Sequence, residues 1–177
     1  PTATVGATSH YALGLRAYQA NRWADAEREF RAALEDPSPP DDQDAAEVQR
    51  YLERTALAIR DQPAVERARQ LQQRGDLPGA SREASSVRNQ ESPLYPTAQR
   101  LLGEIQQDQA AAAVAAGREA LRLRNVDEAR RQLGLATGFG PDGAAVAAFR
   151  AELTAATGGG APTPPAPEPT PEAVEDE

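Results

Sequence analysis

HYALGLRAYQANRWADAEREFRAALEDP, residues 10–37, decides how this chain folds. It divides into two amphipathic halves. Leu13, Gly14, Ala17 and Tyr18 fall on one side of the first half, and Ala26, Phe30, Ala33 and Leu34 on one side of the second. Both sets follow the i, i+3, i+4, i+7 spacing of a helix with one buried face. Asn21-Arg22 reads as the turn between them, and Trp23 as an apolar anchor that restarts the chain. Small residues stand where the two backbones must approach: Gly14, Ala26 and Ala33. Pro37 stops the second helix, because its ring cannot continue the hydrogen-bond ladder. The stretch is a helical hairpin, with Thr8 or Ser9 as its N-cap.

Two weaker versions follow. In residues 68–87, ARQLQQRGDLPGASREASSV, Gly75-Asp76 makes the turn and Leu77 is the anchor. Ala80, Ala84 and Val87 face inward, while Arg67 holds a place expected to be apolar. In residues 115–141, Gly117, Ala120 and Leu121 lie on the first helix and Val126 is the anchor. Ala129, Leu133, Ala136 and Pro141 follow at the matching spacing. Intervening helices are predicted over about Ala45–Arg60, with Val48, Leu52, Ala56 and Ile59 inward, and over about Pro96–Gln107, with Ala98, Leu101, Leu102 and Ile105 inward. Asp44 with Glu47 forms an acidic capping box for the former. Asp142 caps a last helix with Val146, Phe149 and Leu153 inward.

Asp61-Gln62-Pro63 reads as a break, with Pro63 as the first residue of the next helix. Asp108-Gln109 has no proline after it, so either a turn or one long helix fits there. Ala26, Ala80 and Ala129 recur at spacings of 54 and 49 residues. The repeating unit is therefore a hairpin plus one helix, three times over, which predicts about nine helices.

The opening hairpin resembles a tetratricopeptide (TPR) repeat, a unit of roughly 34 residues with the pattern W-x2-L-G-x2-Y, A-x3-F, P. Leu13-Gly14, the Tyr18 region, Trp23, Ala26, Phe30, Ala33 and Pro37 stand for that pattern. His10 replaces the first Trp, Tyr18 is one place late and Pro37 one place early. The resemblance covers residues 10–141 and implies an all-α, right-handed solenoid of helical hairpins with extra intervening helices. On that basis we expect a flexible segment at 1–7, a solenoid domain at 8–157, and a disordered Gly/Pro-rich acidic tail or linker at 158–177.

The resemblance also implies a binding groove. Tyr11, Leu15 and Tyr18 would line it in the first hairpin, and Val114, Arg118, Leu121 and Arg122 in the third. Tyr and Arg are enriched at binding hot spots. Arg118 and Arg122 equally fit a solvated face paired with Glu119 and nearby acids. Layer alternation puts the first helices of the outer hairpins together and leaves the middle hairpin out. The Lys and Asn residues with which some such domains clamp a peptide carboxylate are absent.

Composition narrows the function classes. The chain has 177 residues, no Cys and no Met, and all nineteen basic residues are Arg. Disulfides and thiolate metal sites are excluded. A net charge of −8 argues against nucleic acid, which requires a basic surface. Abundant Ala, Arg, Pro and Gly with little Ile reads as a GC-rich, bacterial origin. No apolar run reaches bilayer length. We expect a cytoplasmic protein, or a periplasmic one if the native start lies upstream.

His10, the sole histidine, has no second ligand or base beside it and stands where the TPR pattern has a packing aromatic. Asp41, Asp42 and Asp44 lack calcium-loop spacing. Ser85-Ser86 lack a nucleophile's partners, and Gly138-x-Gly140 follows no strand. The expected function is therefore a non-catalytic interaction scaffold or adaptor, without cofactor, whose partner is a protein or peptide of acidic character. The alternatives are a regulatory or substrate-presenting domain of a larger signalling enzyme, and a self-associating assembly subunit.

Overall fold

Local capping chemistry starts the first hairpin. Ser9 Oγ accepts from the Ala12 backbone N–H at 3.2 Å and opens α1, His10–Gln19. The computed structural model describes residues 9–36, 44–140 and 143–158. The expectations for residues 1–7, Pro37, Asp41, Asp42, Pro141, Asp142 and the chain beyond Gly158 lie outside these residues. After α1 come α2 (Trp23–Glu35), α3 (Ala45–Gln73), α4 (Leu77–Ser85), α5 (Tyr95–Arg122), α6 (Val126–Phe139) and α7 (Ala144–Gly158). The described residues are all helix and connection, with no strand.

One turn geometry occurs three times. Asn21, Gly75 and Arg124 each adopt a left-handed backbone, with φ of 56°, 80° and 58°. At each, the following residue's N–H reaches back five positions: Arg22 to the Ala17 carbonyl, Asp76 to Leu71, and Asn125 to Ala120. The left-handed residue itself bonds three back, to Tyr18, Gln72 and Leu121 respectively. These paired bonds satisfy the last carbonyls of the helix and reverse the chain. The next residue is each time the N-cap of the following helix. The three turns recur at the spacings of the inward alanines, so the internal repeat is a repeat of geometry as well as of composition.

Only the middle turn has the residue this conformation favours. Open space surrounds the position of a Cβ at Gly75, so Gly75→Ala carries the backbone cost alone. It is expected to lower stability by about 1 kcal/mol, read as a shifted urea midpoint with unchanged slope.

Among the described residues, seven helices stand where about nine were expected. The Asp61-Gln62-Pro63 break does not occur: α3 runs through it from Ala45 to Gln73. Pro63 has no N–H, so the Ile59 carbonyl loses its ladder partner. Burial compensates, because Ala58, Ala64, Val65 and Ala68 are all buried along the same helix. Asp61 is buried as well. Its Oδ1 accepts from Arg60 Nε at 2.9 Å, and its Oδ2 has no hydrogen-bond partner among the described residues. At Asp108-Gln109 the long-helix alternative holds, and α5 continues to Arg122.

The chain forms two compact units, Pro1–Gln109 and Ala110–Glu177. Unit 1 has two cores. The first joins Ala17, Ala26, Phe30, Ala33 and Val48, with Tyr11, Leu15, Tyr18, Tyr51 and Leu52 packed against it. The second joins Ala64, Val65 and Ala68 of α3 to Ala80, Ala84, Val87, Ala98, Leu101 and Ile105. Thus α3 closes the first core with its first half and opens the second with its other half. Unit 2 has one core, from Ala110, Ala113, Val114 and Ala120 through Ala129 and Ala136 to Val146, Phe149 and Leu153.

Several inward assignments change. Leu13 and Leu34 are 37 % and 38 % exposed, and Ala56 is exposed. On α3 the buried stripe is Val48, Thr55 and Ala58, which puts Tyr51 on the core side in place of Ala56. His10 is not a packing aromatic. Its ring is half exposed, and Nδ1 lies 2.9 Å from Glu29 Oε2 on α2. Arg67, the misfit of the middle hairpin, points outward and pairs with Glu83 at 3.0 Å.

Candidate partner-binding surface

The seven residues expected to line a groove divide between the units. In unit 2, Val114 is 3 % exposed and belongs to the core, so it lines no surface. It shares one stripe of α5 with Ala110, Ala113, Gly117 and Ala120, and the helical period leaves it no other direction. Leu121 is half-buried against the same core. Arg118 and Arg122 are exposed but already engaged. Arg118 Nε and Nη2 donate to both oxygens of Glu152 on α7, at 2.9 and 2.7 Å. Arg122 Nε and Nη2 grip Glu119 in the same way, at 2.8 and 2.6 Å. These bonds hold both guanidiniums above, and both carboxylates below, their ordinary pKa ranges. The paired, solvated face is the arrangement present.

Unit 1 is different. Tyr11, Leu15 and Tyr18 occupy successive turns of α1 and are half-buried. Tyr18 and Tyr51 meet edge to face at 5.2 Å between ring centroids. Tyr51 stacks on Phe30 at 5.4 Å, and Trp23 stands edge-on to Tyr18 at 5.3 Å. Three of the four tyrosines and the only tryptophan therefore join one cluster. Such ring pairs stabilise beyond their buried area. Glu47 does not complete the expected capping box. Asp44 Oδ1 accepts from the Ala46 N–H at 2.9 Å, and the Glu47 carboxylate acts on the Tyr11 phenol instead. Burial, then the Glu47 carboxylate, pushes the Tyr11 phenol up. Burial pushes Tyr18 up as well, against an opposing Arg54.

Beside the tyrosines, α3 carries a cleft of about 450 Å³ lined by Glu47, Arg50, Tyr51, Glu53, Arg54 and Leu57, together with Glu91. Its size falls in the range of ligand pockets, roughly 300–1,000 Å³. The sequence reading missed Tyr51, Arg50, Arg54 and Leu57. The signal was present: Glu47, Arg50, Tyr51 and Arg54 follow i, i+3, i+4, i+7, a second stripe beside the apolar one.

No group of His, Asp or Glu side chains able to hold a metal ion occurs among the described residues. No helix among them is long and apolar enough to cross a membrane. No family model matches the chain, and no curated protein or solved structure matches it.

Proposed function

We propose that this chain is a non-catalytic protein-interaction module, an adaptor that binds a partner segment on the α1/α3 face of unit 1. The observation that carries the reading is the adjacency of Tyr51, half-buried among Tyr11, Tyr18 and Phe30, to the cleft along α3. An aromatic held rigidly at the edge of a concave surface contributes contact area with little loss of side-chain freedom on binding. The resemblance of the hairpins to TPR repeats supports the same reading, since stacked helical hairpins present extended binding surfaces.

The test is site-specific photo-crosslinking of the full chain in a bacterial lysate. A crosslinker at position 54, in the cleft, is compared with one at position 82, on the exposed side of α4. A discrete adduct at 54 that excess unlabelled protein competes away, with none at 82, is the expected result. Equal yields at both positions, or an adduct that survives competition, would count against a dedicated surface.

A further inference from the structure

We infer that α6 pairs two copies of this chain through an exposed face on which a row of glycines adjoins a row of large apolar side chains. This surface belongs to unit 2 and is independent of the α1/α3 face of unit 1. In the C-terminal half of α6 the two rows follow the helical period: Gly134 with Gly138, and Leu135 with Phe139. All four residues are exposed, Leu135 at 46 % and Phe139 at 36 %. Glycine is among the least favourable residues inside a helix, and its use there is to let another group come close. Gly14 and Gly117 serve that use, since a Cβ on either would strike the ring of Phe30 or Phe149. At Gly134 and Gly138 a Cβ would meet open space, so nothing among the described residues requires a glycine at either. Gly103 of α5 is open too, but no exposed large apolar side chain adjoins it.

Phe139 is the one exposed phenylalanine of three, and the other two each sit on a helical glycine. A second copy supplies the same contact. A two-fold axis running alongside α6 lays the large row of each copy on the glycine row of the other, Leu135 beside the partner's Gly134 and Phe139 beside the partner's Gly138. Small residues one turn apart let two helix backbones approach closely enough for such contacts. Charge favours this face over the rest of the surface. The chain carries a net charge of −8, which keeps copies apart, but residues 132–140 hold no charge. Just before them, Asp127 and Glu128 are matched by Arg130 and Arg131, at 3.6 and 2.7 Å. One helix crossing of this length covers less than the roughly 1,200 Å² of a stable interface, so the pair is transient and depends on concentration.

The experiment follows the full chain from low micromolar to millimolar concentration by sedimentation velocity and by amide NMR shifts. The proteins are wild type, Gly134→Gln/Gly138→Gln, Leu135→Gln/Phe139→Gln, and Arg82→Gln on α4 of unit 1 as the control. Wild type and Arg82→Gln are expected to pass alike from monomer to dimer, with the shifts confined to the C-terminal half of α6. In a mixture of labelled and unlabelled chains, the Phe139 ring should contact the α-protons of the partner's Gly138. Either double variant should weaken pairing about tenfold or more, the usual loss when the anchor of an interface is removed. The glycine variant should at the same time hold or raise the urea midpoint, because Gln favours a helix over Gly. Its loss of pairing is then not a loss of fold. A monomer at every concentration, or a dimer as strong in both double variants as in wild type, would overturn the inference and leave the α1/α3 surface untouched.

Discussion

Phe30→Ala is expected to destabilise unit 1 by about 3–5 kcal/mol, the usual loss when a large aromatic leaves a packed core. Phe30 is fully buried, and its ring contacts Tyr11, Tyr18 and Tyr51. Gly14 faces it so closely that a Cβ there would sit 2.6 Å from Cδ1 of the ring. The pair fits only as a pair. Gly14→Ala alone forces the ring to move, whereas Gly14→Ala/Phe30→Leu should recover part of the loss. A double-mutant cycle by urea unfolding measures that coupling. The lone tryptophan, Trp23, packs in the same cluster, so its fluorescence reports this core directly. An unchanged midpoint for Phe30→Ala would show that the ring is not packed as described.

The second large effect is in unit 2. Phe149→Ala is expected to cost about 3–5 kcal/mol as well. Phe149 is fully buried, and Gly117 faces it as Gly14 faces Phe30. By sequence alignment of the hairpins, Leu133 corresponds to Phe30, and the two substitutions should then be equal. The structure separates them. Leu133 is only half-buried at the core's margin, so Leu133→Ala is expected near the bottom of its range, about 2 kcal/mol. Unit 2 has no tryptophan, and far-ultraviolet circular dichroism is the measurement. Equal losses for Phe149→Ala and Leu133→Ala would restore the simple correspondence between hairpins.

Much of the helix plan was legible because its signals are local. Each hairpin turn is announced by a few adjacent residues, and Ser9, Asp76 and Asn125 cap the helices that follow them. What misled the reading was Pro63. Its sequence neighbourhood says stop, and the apolar stripe that overrides it extends over residues on both sides. The drift on α3 had a related cause. A spacing of four taken twice in succession turns away from the buried stripe, so Ala56 displaced Thr55 and Tyr51 was passed over.

The candidate surface was legible only in part. Tyr11 and Tyr18 were singled out through the resemblance of the first hairpin to a TPR repeat, and the structure packs both against the first core. Arg118 and Arg122 carry the right chemistry, but sequence does not reveal that Glu152, 34 residues away, already occupies Arg118. The same blindness hid Arg50, Tyr51 and Arg54, which the fold places along the cleft of unit 1.

The shared helix α3 also constrains how this protein can change. Its two ends belong to different cores of unit 1, with no loop between them to absorb a change of length. One residue inserted near Pro63 would turn everything beyond it by about 100° and advance it by about 1.5 Å. Ala64, Val65 and Ala68 would then face away from α4. Substitutions along the outer side of α3 are cheap, but its length is held in register like the teeth of a gear. Seven residues, close to two full turns, is the smallest step that nearly restores the phase. Descendants of this chain should therefore vary freely along the outer side of α3 and scarcely at all in its length.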